Sequence, residues 1–356
     1  MVRFSDIIKN KTTKEEKVQK SEEAEKPSSP FRFSDLEKLR FPASEKAVST
    51  EVAIPEPKKE TGEIRKIYSS FQDYINEVKT SILSNKSFKI DPALILINKI
   101  INTPDMIRDI YESFIHFSYE EGYTSSRWIN TLVYALKIGQ GMEYSKTQLF
   151  ELGLAALLYD VGLFKIPDNI IKKKGRLTES EVAIIRKHPE IGRDILSVFK
   201  EDHPWLSRVA YEHHERENGQ GYLRGIKGNE ICEYAKITGI VDTYEAMIHN
   251  RPHRKAITQH VSVKELIWSK NLMFSSKIIK AFIKEISLYP TGSYIKLNNK
   301  AVGLVIRTNE ENPVKPVIRL LFDGNGNAVT EETIIKLNES PMLYILGSIS
   351  EEEIPH

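Results

Sequence analysis

The sequence predicts a mainly α protein, with a small antiparallel β region at its C-terminal end and a disordered tail at its N-terminal end. Apolar residues recur at helical spacing from about residue 64 to residue 288. Near residue 289 the pattern changes to short apolar runs separated by turn residues, which is typical of strands. Residues 1–62 are rich in Lys, Glu, Ser and Pro and poor in aromatics, so we predict that they stay disordered.

The tail contains a repeated tetrapeptide. The letters RFSD occur at Arg3–Asp6 and again at Arg32–Asp35, each time followed by apolar and lysine residues. Two short amphipathic segments in a polar tail indicate a docking peptide that folds on a protein partner, and chance recurrence is the alternative.

We divide the rest of the chain into three parts. A helical lead-in covers residues 63–120, a larger helical domain covers 121–288, and a small β appendix covers 289–349. In the domain, Thr178 followed by Glu181 predicts a helix that starts with a capping box. In the appendix, the segments GSYIKL, AVGLVIRT and PVIRLLFD predict strands, with turn signals at Asn298–Asn299 and Asp323–Asn327.

Composition excludes several classes of function. A net charge of +2 over 356 residues gives no reason to expect a nucleic-acid polymer as partner. The single cysteine, Cys232, cannot form an internal disulfide, which favours a reducing compartment. The most apolar run, Leu149–Phe164, is interrupted by Glu151 and Asp160 and falls short of the ~18 apolar residues of a membrane span. We therefore expect a cytoplasmic protein without a membrane span.

Five aspartates and histidines occur in apolar helical surroundings, where an unpaired polar group is costly. They are Asp160, His188, the tandem His213–His214, and Asp242. Metal coordination makes such burial tolerable, and a mixture of carboxylates and imidazoles suits a borderline or hard divalent ion. The sequence alone leaves iron, manganese, zinc and nickel open.

The order of the surrounding motifs resembles a known family. The segments LLYDVGLFKIPDNIIKKKGRLT, KHPEIG, HHERENGQGYLRG and IVDTYEAMIHNRPHR are similar to those of HD-GYP domains, a branch of the HD metal-dependent phosphohydrolases. The resemblance runs from about Tyr123 to Phe282 and implies an HD-type helical bundle. It also implies cyclic di-GMP phosphodiesterase activity at a centre of two or three metals. The β appendix resembles the tail often attached to these domains.

The resemblance assigns roles to individual residues. Asp160, His188 and His213 would hold one metal, Asp160 and Asp242 would belong to another, and His214 would help to hold a metal or phosphate. In an active enzyme Asp160 and His214 would be catalytic. Ligand or phosphate binding is expected at Lys173, Tyr222, Arg251 and Arg254.

The chain departs from the family pattern at grouped positions. Arg127 and Tyr159 stand where the family has the two histidines of its first metal, and Leu163 stands where it has a phosphate-binding lysine. Asn218 and Leu223 replace the Asp and the Pro of the family's glycine-rich loop. The first metal site has therefore lost its imidazoles, whereas the second keeps all its ligands.

We hypothesise that Arg127 replaces the charge of the first metal by pairing with Asp160 and Asp242, while the Tyr159 hydroxyl donates a further bond. Fewer metal ions would then bind than in active relatives. The protein would still bind its ligand although its catalytic activity is lost. The first interpretation is a degenerate protein that binds a cyclic dinucleotide, another phosphate ligand, or a protein through the GYL loop, Gly221–Leu223, or the RFSD tail.

Two alternatives stay open. In one, a reduced centre still hydrolyses cyclic di-GMP or another phosphodiester, and Tyr159 serves as a weak phenolate ligand. In the other, the protein is a metal-free structural or interaction scaffold.

Overall fold

The computed structural model describes residues 62–114, 123–249, 257–270, 273–309, 312–349 and 353–354. The predicted disordered tail with its RFSD repeats, and the ligand-binding candidates Arg251 and Arg254, lie outside the described residues.

The described part is mainly α-helical up to Ile286 and ends in a small sheet, which confirms the predicted fold class. The α-helices in chain order are α1 (Gly62–Leu83), α2 (Asp91–Asn102), α3 (Met106–Phe114), α4 (Tyr123–Gly141), α5 (Lys146–Leu158), α6 (Asp168–Ile171), α7 (Glu179–Ile185), α8 (His188–Leu196), α9 (Pro204–Glu212), α10 (Glu233–Ile248), α11 (Gln259–Lys270) and α12 (Ser276–Ile286). Short 3₁₀ turns occur at Val161–Lys165, Ser197–Phe199 and Gly228–Glu230.

The central element of the bundle is α5. It begins at a capping box in which Ser145 and Gln148 bond to each other's backbone, and its residues from Leu152 to Leu158 are all buried. The stretch Lys146–Lys165 has the length and hydropathy of a membrane span, but 67% of the tested window is buried inside the protein. α5 is therefore the core helix of the bundle, and its burial explains why its sequence is apolar on all sides.

The predicted lead-in shares its core with the larger domain. The apolar stripe of α1 is buried, from Ile64 through Phe71 to Ile82, and belongs to the same cluster as α4 and α5. On α3, the Tyr111 hydroxyl donates to the backbone carbonyl of Ile286, at 2.8 Å, and so ties the lead-in to the end of α12.

The C-terminal sheet has five antiparallel strands in the order β4-β3-β2-β1-β5. The strands are β1 (Tyr294–Leu297), β2 (Val302–Arg307), β3 (Val317–Phe322), β4 (Ile334–Lys336) and β5 (Ile345–Ser348). The first three are the predicted ones. The sequence did not indicate β4 and β5, because each is only three or four residues long and neither has a clear alternation of buried and exposed positions.

The predicted capping box at the start of α7 is present. Thr178 accepts a hydrogen bond from the backbone of Glu181, whose side chain bonds back to the backbone of Thr178.

Candidate metal centre

The centre is assembled from the ends and the middle of separate helices. Asp160 follows the last turn of α5, His188 is the first residue of α8, and His213 directly follows α9. Asp242 lies in the middle of α10, and Arg127 lies on α4. Asp160, His188 and His213 are almost fully buried, with at most 3% of each residue exposed.

Two glycines allow the backbones to approach closely enough. A Cβ atom on Gly162 would lie 2.0 Å from the carbonyl oxygen of His188, and one on Gly239 would lie 2.4 Å from the carbonyl oxygen of His213. Neither backbone has space for a side chain, so these glycines set the distance of Asp160 from His188 and of α10 from His213. Gly239 was not singled out from the sequence, because a helical glycine without positive φ has no local signal.

Three imidazoles converge at one point. The Nε2 atom of His188 lies 3.2 Å from Nε2 of His213 and 3.1 Å from Nε2 of His214. The three ligand atoms all lie within 4.8 Å of one another. Atoms at these separations are close enough to bind a single ion with bonds of about 2.0–2.1 Å.

The other ring nitrogens fix the tautomers. Nδ1 of His188 donates to the carbonyl oxygen of Ile185 at 2.7 Å, and Nδ1 of His213 donates to that of Ala210 at 2.8 Å. In the neutral rings each Nε2 therefore carries a lone pair, and the two lone pairs face each other rather than forming a hydrogen bond. Metal-binding histidines are oriented in this way, with the second nitrogen bound to a backbone carbonyl.

Asp160 adds an oxygen to the same point. Its Oδ1 atom lies 3.1 Å from Nε2 of His188, is buried, and has no hydrogen-bond partner in the described structure. A buried carboxylate oxygen without a partner is costly unless a cation binds it. The three imidazoles and this oxygen together fit a divalent metal ion.

Burial favours the neutral form of two of the imidazoles, those of His213 and His214. Burial, followed by the charge of His188, lowers the pKa of His213 to about 4. Burial, followed by His213 and His188, holds the pKa of His214 well below its usual range. Near neutral pH both rings therefore present lone pairs, the form in which histidine binds a metal.

A guanidinium group lies between the two carboxylates. Nη2 of Arg127 lies 3.1 Å from Oδ2 of Asp160 and also contacts Oδ1 of Asp242. The Tyr159 hydroxyl donates to the same Oδ1 of Asp242, at 2.8 Å. One cation and one hydroxyl thus satisfy the side of the cluster that faces away from the imidazoles.

Tyr159 is a hydrogen-bond donor and not a phenolate. Its side chain is fully buried, and burial raises its pKa well above the usual range, outweighing the opposing effect of Arg127. The Tyr159 hydroxyl bonds to Asp242, which gives no support to its alternative role as a phenolate ligand.

The glycine-rich loop covers the imidazoles. The ring of Tyr222 stacks on His214 with centroids 4.6 Å apart, and the guanidinium of Arg186 lies 5.1 Å from the Tyr222 ring centroid. Arg186 is exposed. The sequence analysis missed Arg186, although its place two residues before His188 was a usable signal. Gly221 lets this loop lie on the tandem histidines, because a Cβ there would be 2.5 Å from the carbonyl of His214.

The other predicted site residues that the structure describes are not themselves members of the cluster of histidines and aspartates described above. Leu163 lies half-buried in the 3₁₀ turn after Asp160 and offers no charge. Lys173 donates to both carboxylate oxygens of Glu181 at 2.7 Å, so a phosphate would have to compete for its ammonium group. Asn218 bonds to Gln220, and Leu223 is 37% exposed at the surface of the loop.

A buried acid that the sequence analysis overlooked supports the loop. Glu212 is 3% exposed and accepts bonds from Arg208, from Arg224 and, at 2.7 Å, from the backbone N–H of Cys232. Glu215 accepts the backbone N–H of Arg224 at 2.7 Å. These contacts hold the segment after Tyr222 against the end of α9, next to the tandem histidines.

The helical bundle carries a cluster of histidines and aspartates that could hold a metal ion. Residues 106–274 match the family described as HD domain, and residues 294–356 match the KOW domain associated with HD domain. Residues 106–274 are thus similar to HD domains, and residues 294–356 to the KOW domain that accompanies them. The HD match begins at residue 106, inside the predicted lead-in.

The chain is similar to curated phosphodiesterases over about half of their length. It is 24% identical over 229 residues to a cyclic di-GMP phosphodiesterase of Pseudomonas aeruginosa, covering 64% of this chain and 55% of that protein. It is 30% identical over 205 residues to the cyclic di-GMP phosphodiesterase PdeB of Borreliella burgdorferi, covering 56% and 52%. A 3′3′-cGAMP-specific phosphodiesterase of Vibrio cholerae is 24% identical over 220 residues, covering 61% and 42%.

A solved structure shares the fold. It is a HDG"Y"P protein from Bdellovibrio bacteriovorus, with a TM-score of 0.51 and 15% sequence identity, covering 64% of this chain and 74% of that one.

Proposed function

We propose that this protein binds a cyclic dinucleotide at a metal centre that holds fewer ions than those of active relatives, and that it acts mainly by binding. The observation that carries the proposal is the contact of Arg127 with both Asp160 and Asp242. A guanidinium between two buried carboxylates supplies the positive charge that they require, so no ion is needed on that side.

The residues that would hold a metal are those on the other side. Asp160 Oδ1 and the Nε2 atoms of His188, His213 and His214 offer four ligand atoms to one ion. A bound divalent ion would polarise a phosphate oxygen and lower the pKa of a water molecule. The identity of the ion stays open among iron, manganese, zinc and nickel, because all four accept this ligand set.

The chain's own residues can bind a phosphodiester ligand. Tyr222 presents a ring beside His214, and Arg186 offers an exposed guanidinium on the ring's surface. Aromatic rings and arginines together bind bases and phosphates. The relatives' names support a cyclic dinucleotide as the ligand, since they describe phosphodiesterases for cyclic di-GMP and for 3′3′-cGAMP.

The rate of phosphodiester hydrolysis should be reduced because no residue of this chain can replace the activating role of a second metal ion. Arg127 is a fixed cation and cannot ionise a water molecule, and Leu163 offers nothing to a phosphate oxygen. Residues of a catalytic unit act together, so losing several of them removes most of the rate.

The competing proposal is a working phosphodiesterase with a reduced centre. It is favoured by the intact His triad and by the partnerless Asp160 Oδ1, because a single ion at these atoms would still activate water. In that case Asp160 and His214 would take part directly in the reaction.

One experiment separates the two proposals. Metal content, cyclic di-GMP binding and cyclic di-GMP hydrolysis are measured on the same purified sample, and again on the double variant Arg127→His, Tyr159→His. We expect about one ion per chain, binding without appreciable hydrolysis in the parent, and a gain of a second ion in the double variant. Two ions per chain or rapid hydrolysis in the parent would refute the binding proposal, and absence of both metal and ligand binding would leave the scaffold alternative.

A further inference from the structure

A second cavity lies away from the metal centre, where the helical bundle meets the sheet. It has a volume of about 250 Å³ and lies between the first turn of α11 and the strands β1 and β5. Its polar lining includes Thr258, His260, Ser293, Tyr294 and Ser348. None of these residues has a role in the metal centre.

His260 is the most informative of these side chains. Only 4% of it is exposed, and its ring stacks on Tyr289 with centroids 4.9 Å apart. Its Nε2 atom and the Oγ atom of Ser348 are both buried without a hydrogen-bond partner in the described structure. A buried polar atom without a hydrogen-bond partner is costly. Two such atoms lining one cavity indicate that a bound ligand supplies their partners.

The charges around the cavity favour an anion. None of the residues that line this part of the described structure carries a carboxylate. α11 begins at Gln259 beside the cavity, and the first N–H groups of a helix lack partners within it and carry partial positive charge. Lys264, one turn further along the same helix, adds a positive charge close enough to help lower the pKa of His260.

The chemistry of the lining is that of hydrogen-bond donors. Thr258, Ser293 and Ser348 offer hydroxyls, Tyr294 offers a phenol, and a neutral His260 can donate from Nε2. Hydroxyls and helix N–H groups are the donors with which proteins bind phosphate and sulfate at helix N-termini.

We propose that this cavity is a binding site for a small phosphate-class oxyanion, held by His260, Ser348 and the first turn of α11. An anion bound there touches the helical bundle and the sheet at once, so it fastens the last two parts of the chain to each other. The inference does not depend on the proposed function of the metal centre.

The test follows the His260 ring by NMR while inorganic phosphate is added to the full-length protein, with sodium chloride at matched ionic strength as the control. The His260 signal is assigned by its loss in His260→Phe. We expect a saturable shift of this signal with phosphate and with sulfate, and none with chloride. The same titration is repeated with glycerol phosphate. A shift with this compound too would show that the cavity binds a phosphate ester as well as the free ion.

Ser348→Ala is the second variant, because it removes one hydroxyl without touching the stacked ring. We expect it to weaken phosphate binding about tenfold, the effect of losing a hydrogen bond to a charged group. Ser207→Ala, at an exposed hydroxyl outside the cavity, should leave the affinity unchanged. An unmoved His260 signal, a shift reproduced by chloride, or equal affinities in the two serine variants would overturn the proposal. Phosphate bound at the metal centre would move the signals of other histidines and so would not be confused with this site.

Discussion

The guanidinium of Arg127 lies 3.1 Å from Asp160, and only 11% and 1% of the two side chains are exposed. Breaking a buried ion pair from one side leaves an uncompensated charge, which costs about 3–5 kcal/mol. We therefore expect Arg127→Ala to lower the free energy of unfolding by that amount in metal-free protein, as measured by urea denaturation.

The matched control for this variant is Arg176→Ala, at an exposed arginine with no role in the cluster. Its effect should stay within about 0.5 kcal/mol. Added divalent metal should restore part of the stability of Arg127→Ala, because an ion can then neutralise both carboxylates. Equal losses in the two variants would show that the ion pair contributes nothing.

Gly162 offers a test of how the centre is held together. A Cβ atom there would lie 2.0 Å from the carbonyl oxygen of His188, so Gly162→Ala must push α8 away from Asp160. We expect loss of metal binding and a fall of several kcal/mol in the free energy of unfolding, in the range of severe packing defects.

Gly62→Ala is the control for that substitution, because nothing lies within 4 Å of a Cβ at Gly62. It should leave metal content unchanged and, as a helical glycine replaced by alanine, should not destabilise the protein. If Gly162→Ala bound metal as well as Gly62→Ala, the backbone contact would not be what positions His188.

Under the proposed function, Arg186 should determine the affinity for cyclic di-GMP without affecting the metal content. Its exposed guanidinium lies over Tyr222, and removing a charge-assisted contact to phosphate costs about 1.5–3 kcal/mol. We expect Arg186→Gln to weaken cyclic di-GMP binding by tenfold or more in calorimetry, at unchanged metal content. Arg176→Gln changes the net charge equally, so comparable weakening there would indicate a general electrostatic effect.

Acid should destabilise the junction between bundle and sheet. Burial, aided by Lys264, lowers the pKa of His260 to about 4. The unfolded chain takes up this proton near pH 6.5, whereas the folded chain resists it down to about pH 4, so stability falls as the pH is lowered between these values. A pKa difference of one unit corresponds to about 1.4 kcal/mol.

We expect His260→Gln to flatten this part of the stability curve, measured by urea denaturation from pH 7 to pH 4 in buffers without phosphate or sulfate. His213, whose pKa is also about 4, contributes in the same direction and remains in the variant. An unchanged slope would mean that His260 accepts its proton in the folded protein as readily as in the unfolded one.

The sequence predicted the parts of the fold whose apolar residues recur at a regular spacing. It also predicted the candidate metal ligands, which are residue types that commonly bind metals. The helical domain, the capping box at Thr178 and the first three strands follow from spacing and turn residues. The cluster was anticipated because the order of its motifs resembles that of HD-GYP domains, and because buried imidazoles and carboxylates are rare without partners. The contact of Arg127 with Asp160 was inferred from a charge that needed neutralising.

Other features carry no signal along the chain. The approach of Gly239 to His213 and the bonds of Glu212 to Arg208 and Arg224 arise from tertiary packing between distant segments. The cavity at His260 depends on where the sheet lies against α11, which periodicity does not specify. Strands as short as β4 gain their pairing from a neighbour rather than from their own residues.

The hydrogen bond from Tyr111 to the carbonyl of Ile286 has a practical consequence for anyone who shortens this protein. Cutting the chain at residue 123, where α4 begins, would remove α1 to α3 and expose their apolar contacts on α4 and α5 to water. A fragment that starts at residue 123 should therefore aggregate, whereas one that starts at residue 62 should stay folded. Whatever displaces those first three helices, in a test tube or in a cell, would also loosen the last helix before the sheet.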